Sequence, residues 1–317
     1  MSSPHSTAVD LRPFPNLNAF LERLQAVAPL QHRAIDARLH EYDAAFFPDA
    51  DRFFAEFTRL MESMKTPVDD AVASYVSICK ETFSEQIKFV RSGRYSATNI
   101  AEAHQTVQSY EAMTRYMLGL AVTQFLWLQH YETLQFFRDF LAERKVTGRY
   151  LEVGPGHGLN MLEAMRSANA ATFDAVDISQ ASADIAKGVV SFLSPAGKHA
   201  TFHVQDIFTW TPSQPYDTLV MGEVLEHVED PLSLLRRAAS FVKPDGRLFV
   251  TTCSNCPAID HVYLFRSVQE IRDLIGNAGC AIEREHVTER DYGMKRKDGT
   301  LIQTAQYAAV LTKSASS

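Results

Sequence analysis

Apolar residues recur every three or four positions from residue 16 to about 147. In "YEAMTRYMLGLAVTQFLWLQHYETLQFFRDFLAERK", Met113, Met117, Leu120, Phe125, Leu128, Leu134, Phe137 and Leu141 keep that spacing, which is the spacing of helix. Pro29, Pro48, Pro67 and the stretch "RSGRYSATN" (91–99) interrupt it, so the pattern predicts a bundle of four or five helices. From residue 148 the period changes. The short apolar runs "RYLEVG", "TFDAVDI", "HATFHVQD", "YDTLVMG" and "GRLFVTT" alternate with the helical stretches "LNMLEAMRSA", "QASADIAKGVVSFL" and "PLSLLRRAASFV". Strands that are apolar nearly throughout and separated by helices predict a parallel sheet covered on both faces. After a helix stopped by Gly279, "AIEREHVTER" and "LIQTAQYAAVLT" read as two strands with no helix between them, and such strands pair antiparallel. The chain thus divides into a flexible tail (1–15), a helical domain (16–147) and an α/β domain (148–317) of five parallel strands closed by an antiparallel hairpin.

Composition narrows the setting without changing this picture. Hydrophobic content is 46% and charged content 22%, ordinary for a globular chain that buries a full core. The net charge of −7 and the lack of a basic arm argue against a nucleic-acid partner. The most apolar run, "MLGLAVTQFLWL", falls short of the ~20 residues that span a bilayer, and the N-terminus lacks a basic-then-apolar leader pattern. Four cysteines in so long a chain are no disulfide framework. The expectation is a soluble cytoplasmic protein with free thiols and no membrane partner.

The first predicted strand ends in "LEVGPGHG", where Gly154, Gly156 and Gly158 let the chain turn tightly and a ligand approach the backbone. The spacing is G-x-G-x-G, with Leu159 where a dinucleotide fingerprint has its last glycine, and this disfavours a nicotinamide dehydrogenase. The second strand ends in Asp177 and the third in "QDIF" with Asp206, both at the rim where ligands sit in open α/β sheets. Either aspartate could instead cap a helix.

Taken with "VDIS" and "YDTLVMGEVLEHVEDP", these motifs make residues 148–313 resemble a class I S-adenosylmethionine (SAM)-dependent methyltransferase, with its Rossmann-like sheet. The resemblance implies that Glu152 and Gly154 to Gly158 line the methionine part of SAM and that Asp177 holds the ribose. It places Ile178 on the adenine, Asp206 at the adenine amine with Ile207 beside it, and Glu223 at the sulfonium or the substrate. Members acting on planar amines carry Asn/Asp-Pro-Pro-aromatic after the fourth strand. The segment "MGEVLEHVEDP" departs from that and points to a small-molecule acceptor.

Three histidines fall near this rim: His227 after the fourth strand, His261 in "SNCPAIDHVYLF" after the fifth, and His286 in "EREHVTER". Brought together they would suit a transition metal such as zinc, iron, nickel or cobalt, with Asp260 as ligand or orienting partner. A metal there could chelate a 2-oxo acid and acidify the neighbouring C–H. This constellation resembles a small group of bacterial α-keto acid C-methyltransferases that serve nonribosomal-peptide building blocks. Without metal, His227 or His261 would be the catalytic base of an O- or N-methyltransferase of a natural product. A non-catalytic SAM-binding assembly protein is the alternative of another class.

Cys253 and Cys256 form one C-x-x-C without a matching pair, so Cys253 is expected buried at the strand end and Cys256 in the loop. The basic cluster "GMKRKDG" reads as a solvated turn, while Arg91 and Arg94 are candidates for a substrate carboxylate. The helical domain is expected to cap the cleft, to form a homodimer, or both.

Overall fold

Seven helices precede the first strand among the described residues: α1 (Pro15–Val27), α2 (Pro29–Asp36), α3 (Phe46–Ser63), α4 (Val68–Ser92), α5 (Ile100–Gln105), α6 (Tyr110–Leu126) and α7 (Leu128–Arg144). The computed structural model describes residues 9–105, 109–144, 147–167, 169–295 and 299–314. The first eight residues of the expected tail, and positions 296–298 of "GMKRKDG", lie outside them.

The prolines act where a missing N–H costs little. Pro29 opens α2 at its first position, and Pro67 stands just before α4. Pro48, expected to break the pattern, lies in the first turn of α3, whose amides have no intrahelical partner anyway. The break within "QFLWLQH" carries neither proline nor glycine. There Trp127 turns extended (φ −107°, ψ 114°) and separates α6 from α7, where the sequence predicted one continuous helix.

The sheet follows with β1 (Thr147–Val153), α8 (Leu159–Ser167), β2 (Asn169–Asp177), α9 (Gln180–Leu193), β3 (Ala200–Val204) and β4 (Tyr216–Gly222). It continues with α10 (Pro231–Ser240), β5 (Val242–Ser254), α11 (Val268–Asn277), β6 (Cys280–Arg290) and β7 (Thr304–Lys313). The strand order is β3-β2-β1-β4-β5-β7-β6. All neighbouring pairs from β3 to β5 are parallel, and β7 runs antiparallel between β5 and β6. Because β7 opposes both neighbours, β6 runs parallel to β5, and its carboxyl end at Arg290 reaches the same rim as the ends of β1, β4 and β5.

Apolar packing makes three layers. On one face Leu234, Leu235 and Ala238 of α10 and Ile271 and Ile275 of α11 meet Leu219, Met221, Leu248 and Val250 of the strands. On the other, Phe137 and Phe140 of α7 pack against Phe249, with ring centroids 4.7 and 5.5 Å away, beside Met161 and Met165 of α8. The second half of α7 therefore packs with the sheet, before the boundary at residue 147 that the change of period suggests, while Leu128, Tyr131 and Leu134 of its first half join the helical core. The remaining helices share a core of Leu17, Phe46, Phe54, Tyr75 and Val122 that extends to Leu159, Leu162 and Val189 of α8 and α9. That continuous packing sets the helical half over the rim of the sheet.

Candidate active site

Between the helical half and the strand ends lies a cavity of about 860 Å³. Its floor is the turn after β1. Gly154, Gly156 and Gly158 all have positive φ (64°, 51° and 77°). A Cβ on Gly154 would stand 3.0 Å from Val224 Cγ2, and one on Gly158 would stand 3.1 Å from the Ala186 carbonyl oxygen on α9. The first glycine thus keeps the turn tight and the third lets α8 pack on α9. Glu152, buried at the end of β1, accepts a hydrogen bond from Tyr150 Oη at 3.2 Å. Burial pushes its carboxyl up to about 8 against the opposing pull of that bond.

Asp177 ends β2. Its Oδ1 accepts from the Ser179 amide at 2.8 Å and its Oδ2 from Ser182 Oγ at 2.7 Å, while Ser179 itself caps α9. Ile178 is 59% exposed, an apolar surface presented to the cavity. Asp206 closes a turn by accepting from the Phe208 amide at 2.9 Å and caps no helix. Asp206, Ile207 and Phe208 line the cavity with Asp177.

Beside this cradle, a polar cluster sits on the loops after β4 and β5. Glu223 adopts φ 52°, a conformation that costs a non-glycine residue energy and that the surroundings must hold. The Thr251 carbonyl (3.2 Å) and hydroxyl (3.0 Å) accept from its amide, and its Oε1 accepts from Gln306 Nε2 at 2.6 Å. Asn255 turns the chain after β5 at φ 53° and donates to the carbonyls of Arg266 and Gln303. The amides of Val262 and Tyr263 then bond the Glu226 carbonyl at 2.8 and 2.9 Å, tying the two loops together.

This brings His227 and His261 to a ring-centroid distance of 4.9 Å, edge to face. His227 Nδ1 donates to the Asp260 carbonyl at 2.9 Å, and His261 Nδ1 donates to the Cys256 carbonyl at 2.7 Å. A carbonyl only accepts, so each neutral ring keeps its lone pair on Nε2. Burial, with His227 beside it, pushes His261 down to about 4. Burial raises Asp260, but His227, His261 and a 2.9 Å hydrogen bond from Tyr116 Oη outweigh it and hold the carboxyl below the usual range. Fully buried Glu226 accepts from Thr252 Oγ1 at 2.7 Å and is raised to about 7 by burial. Its Oε1 has no hydrogen-bond partner among the described residues. Glu226, His227 and His261 each offer a ligating atom within 4.8 Å of the others, as do Glu223, Glu226 and Cys253.

A family model described as "Methyltransferase domain" matches residues 127–291, just over half of the chain. The chain belongs to that family. It has the class I SAM-dependent methyltransferase fold, and SAM is its cofactor. Among curated proteins it is 34% identical over 112 residues to a ubiquinone biosynthesis O-methyltransferase of Xanthomonas euvesicatoria pv. vesicatoria (35% of this chain, 45% of that one). It is 31% identical over 110 residues to the one of Neisseria meningitidis serogroup C (34% and 45%). The chain spans about half the length of the curated relatives it matches. Among solved structures, mitomycin 7-O-methyltransferase MmcR aligns over 94% of this chain and 95% of its own, with TM-score 0.53 and 14% identity. Magnesium protoporphyrin IX methyltransferase from Synechocystis PCC 6803, with bound SAM, aligns over 69% and 100%, with TM-score 0.50 and 17% identity.

The methyltransferase's own residues fit that cofactor. The glycine turn offers bare backbone, Asp177 a carboxylate at the β2 end, and Ile178 an exposed apolar face for a flat ring. Glu152, Gly154, Gly156, Asp177, Ile178, Asp206, Ile207 and Glu223 all line the cavity, and Gly158 supports it from behind. The sequence-expected histidines divide. His227 and His261 meet, but His286 does not join them. Its ring stacks on Phe136 at 5.7 Å and its Nε2 lies 3.1 Å from Thr288 Oγ1, because it sits mid-strand on the face covered by α7. Glu226 is the third group of the cluster. Arg91 and Arg94 are exposed and outside the cavity wall. Cys253 is buried and Cys256 half-buried, both as free thiols. No helix among the described residues is long and apolar enough to cross a membrane.

Sequence reasoning also missed what the helical half contributes: Tyr116, and His130 beside the glycine-turn His157. Burial pushes both of these imidazoles down to about 4. A lone histidine or tyrosine in an apolar helix carries no signal of what it will face.

The Glu152 carboxyl gives a pH prediction. Its folded value is raised, so its contribution to stability is present at low pH and lost as pH rises through about 8. The cofactor-free protein should melt at a lower temperature at pH 9 than at pH 6.5, and Glu152→Gln should reduce that decline. A decline of unchanged size in the variant would assign it to other groups.

Proposed function

We propose that this enzyme methylates a carbon of a small 2-oxo acid, next to the keto group, with a transition-metal cation held by His227, His261 and Glu226. The observation that carries the reading is the donor set: two imidazoles fixed by main-chain carbonyls to keep Nε2 lone pairs, and a buried carboxylate with an unpartnered oxygen beside them. Two histidines and one carboxylate suit a divalent transition metal with open positions. Such a cation would polarise a chelated keto group and acidify the neighbouring C–H. SAM supplies a methyl group on a sulfonium, open to in-line displacement by an electron-rich atom.

The chain's residues bind, orient and exclude water. Asp177 and the glycine turn fix the cofactor. Asp260, held by Tyr116 from α6, stands 3.6 Å from His227 Nδ1 and steadies that ring. Met113, Met117, Leu120 and Trp127 line the cavity from the helical side and would keep water from the transfer, so the helical domain acts as a cap.

A second reading is O-methylation of a hydroxyl or phenol without metal, with His227 as base. It is favoured by the curated relatives, which are O-methyltransferases. Elemental analysis of untagged, chelator-free protein separates the two. The proposed reading expects near-stoichiometric transition metal in the wild type and its loss in His261→Ala. Metal-free protein, with methylation of phenols that chelators leave untouched, would favour the second.

A further inference from the structure

Besides the histidine cluster, the cavity wall contains two arginines, Arg38 and Arg290, with Tyr42 and Tyr292. Arg38 is already spent, because its Nε and Nη2 donate to the two oxygens of Glu41 at 3.0 and 3.1 Å. Arg290 is not. Its nearest carboxylates, Glu41 Oε2 and Glu132 Oε2, lie 3.5 and 3.7 Å away, beyond a good hydrogen bond. Both carboxylates have closer donors, Glu41 in Arg38 and Glu132 in Thr288 Oγ1 at 2.6 Å. Arg290 Nε is buried with no partner, and none of the guanidinium nitrogens makes a hydrogen bond among the described residues. The side chain is 21% exposed and lines the cavity.

A guanidinium has five donors in a rigid fork, and leaving them unmade inside a protein is costly. The group that satisfies such a fork best is a planar carboxylate, which takes two parallel N–H bonds. Topology points the same way, since Arg290 ends β6 at the ligand-bearing rim. Glu41 and Glu132 nearby would repel a phosphate dianion more than a singly charged carboxylate. The cavity wall also carries aromatic and apolar groups, among them Tyr42, Tyr75, Ile78 and Phe83.

We infer that Arg290 is a specificity-determining residue that binds a carboxylate of the acceptor. The inference rests on the cavity being the acceptor site, but on neither the metal nor the position of methylation. The acceptor is an acid, its apolar remainder lying against the aromatic and apolar wall.

The test is a binding comparison on full-length protein, dialysed against chelator and loaded with S-adenosylhomocysteine. The protein is titrated calorimetrically with 3-phenylpropanoate and with its neutral isostere 3-phenylpropanamide. The acid should bind about tenfold or more tightly than the amide, as expected for a charge-assisted pair. Arg290→Gln should abolish that preference and Arg290→Lys should keep part of it. S-adenosylhomocysteine affinity and melting temperature in each variant report the fold, and the wild-type comparison stands even if the Gln variant does not fold. Equal binding of acid and amide, no binding of the acid, or an undiminished preference in Arg290→Gln would overturn the inference. Acid preference without methyl transfer to 2-oxo acids would leave it standing and remove the proposed reaction. Methyl transfer without acid preference would do the reverse.

Discussion

Replacing His261 with alanine should lower kcat by at least about 10²-fold while leaving SAM affinity within about a factor of three. The expectation follows from what the ring touches. His261 bonds the Cys256 carbonyl, meets Tyr95 at 5.6 Å and His227 at 4.9 Å, and makes none of these contacts with the glycine turn or with Asp177. Its loss should remove chemistry and leave the cofactor cradle intact. Whether the ring holds a metal or moves a proton, it would act on the acceptor side. Single-turnover kinetics together with calorimetric SAM binding would measure both quantities. A parallel collapse of SAM affinity would mean that His261 supports the cofactor, and the division of the cavity into cradle and cluster would be wrong.

The opposite pattern is expected at Asp177. Two ribose hydroxyls donating to its carboxylate would contribute about 1.5–3 kcal/mol each, so Asp177→Ala should weaken S-adenosylhomocysteine binding by about 10²-fold or more. The same carboxylate orders the start of α9 through Ser179 and Ser182, so alanine also loosens that turn. Asp177→Asn separates the two roles, because its remaining oxygen can still accept from the Ser179 amide while the charge is gone. An Asn variant with an intermediate affinity and a wild-type melting temperature is expected. Full affinity in both variants would exclude Asp177 from the cofactor site.

The α/β half was legible because its two signals agree. Near-continuous apolar strands fixed the parallel sheet, and glycine and acidic residues at their carboxyl ends marked the rim. The helical half was legible as helix but not as architecture. The break at Trp127 has no proline or glycine, and α6 is buried at Leu118, Gly119, Ala121, Val122 and Thr123, nearly all round the helix, so no apolar stripe points to its neighbours. In the site, His227 and His261 could be placed because both follow strand ends. His286 was misplaced because it sits mid-strand, where the face it presents is set by register: its partner on β7 is Ala308, under α7. The rim residue of that strand is Arg290. Glu226 was passed over as one of two acids in "EVLEH", since only the 3-10 turn at Leu225–His227 shows which of them is buried with the histidines.

The proposed reaction transfers a methyl group from SAM to carbon. Incubation of the purified, metal-replete protein with SAM labelled with ¹³C in its methyl group and with phenylpyruvate or a short aliphatic 2-oxo acid, followed by NMR, tests it directly. The expected product carries a labelled methyl coupled to a carbon-bound hydrogen at the position next to the keto group, with one equivalent of S-adenosylhomocysteine formed and no product from His261→Ala. A label found on oxygen, with phenols as the accepted substrates, would contradict it.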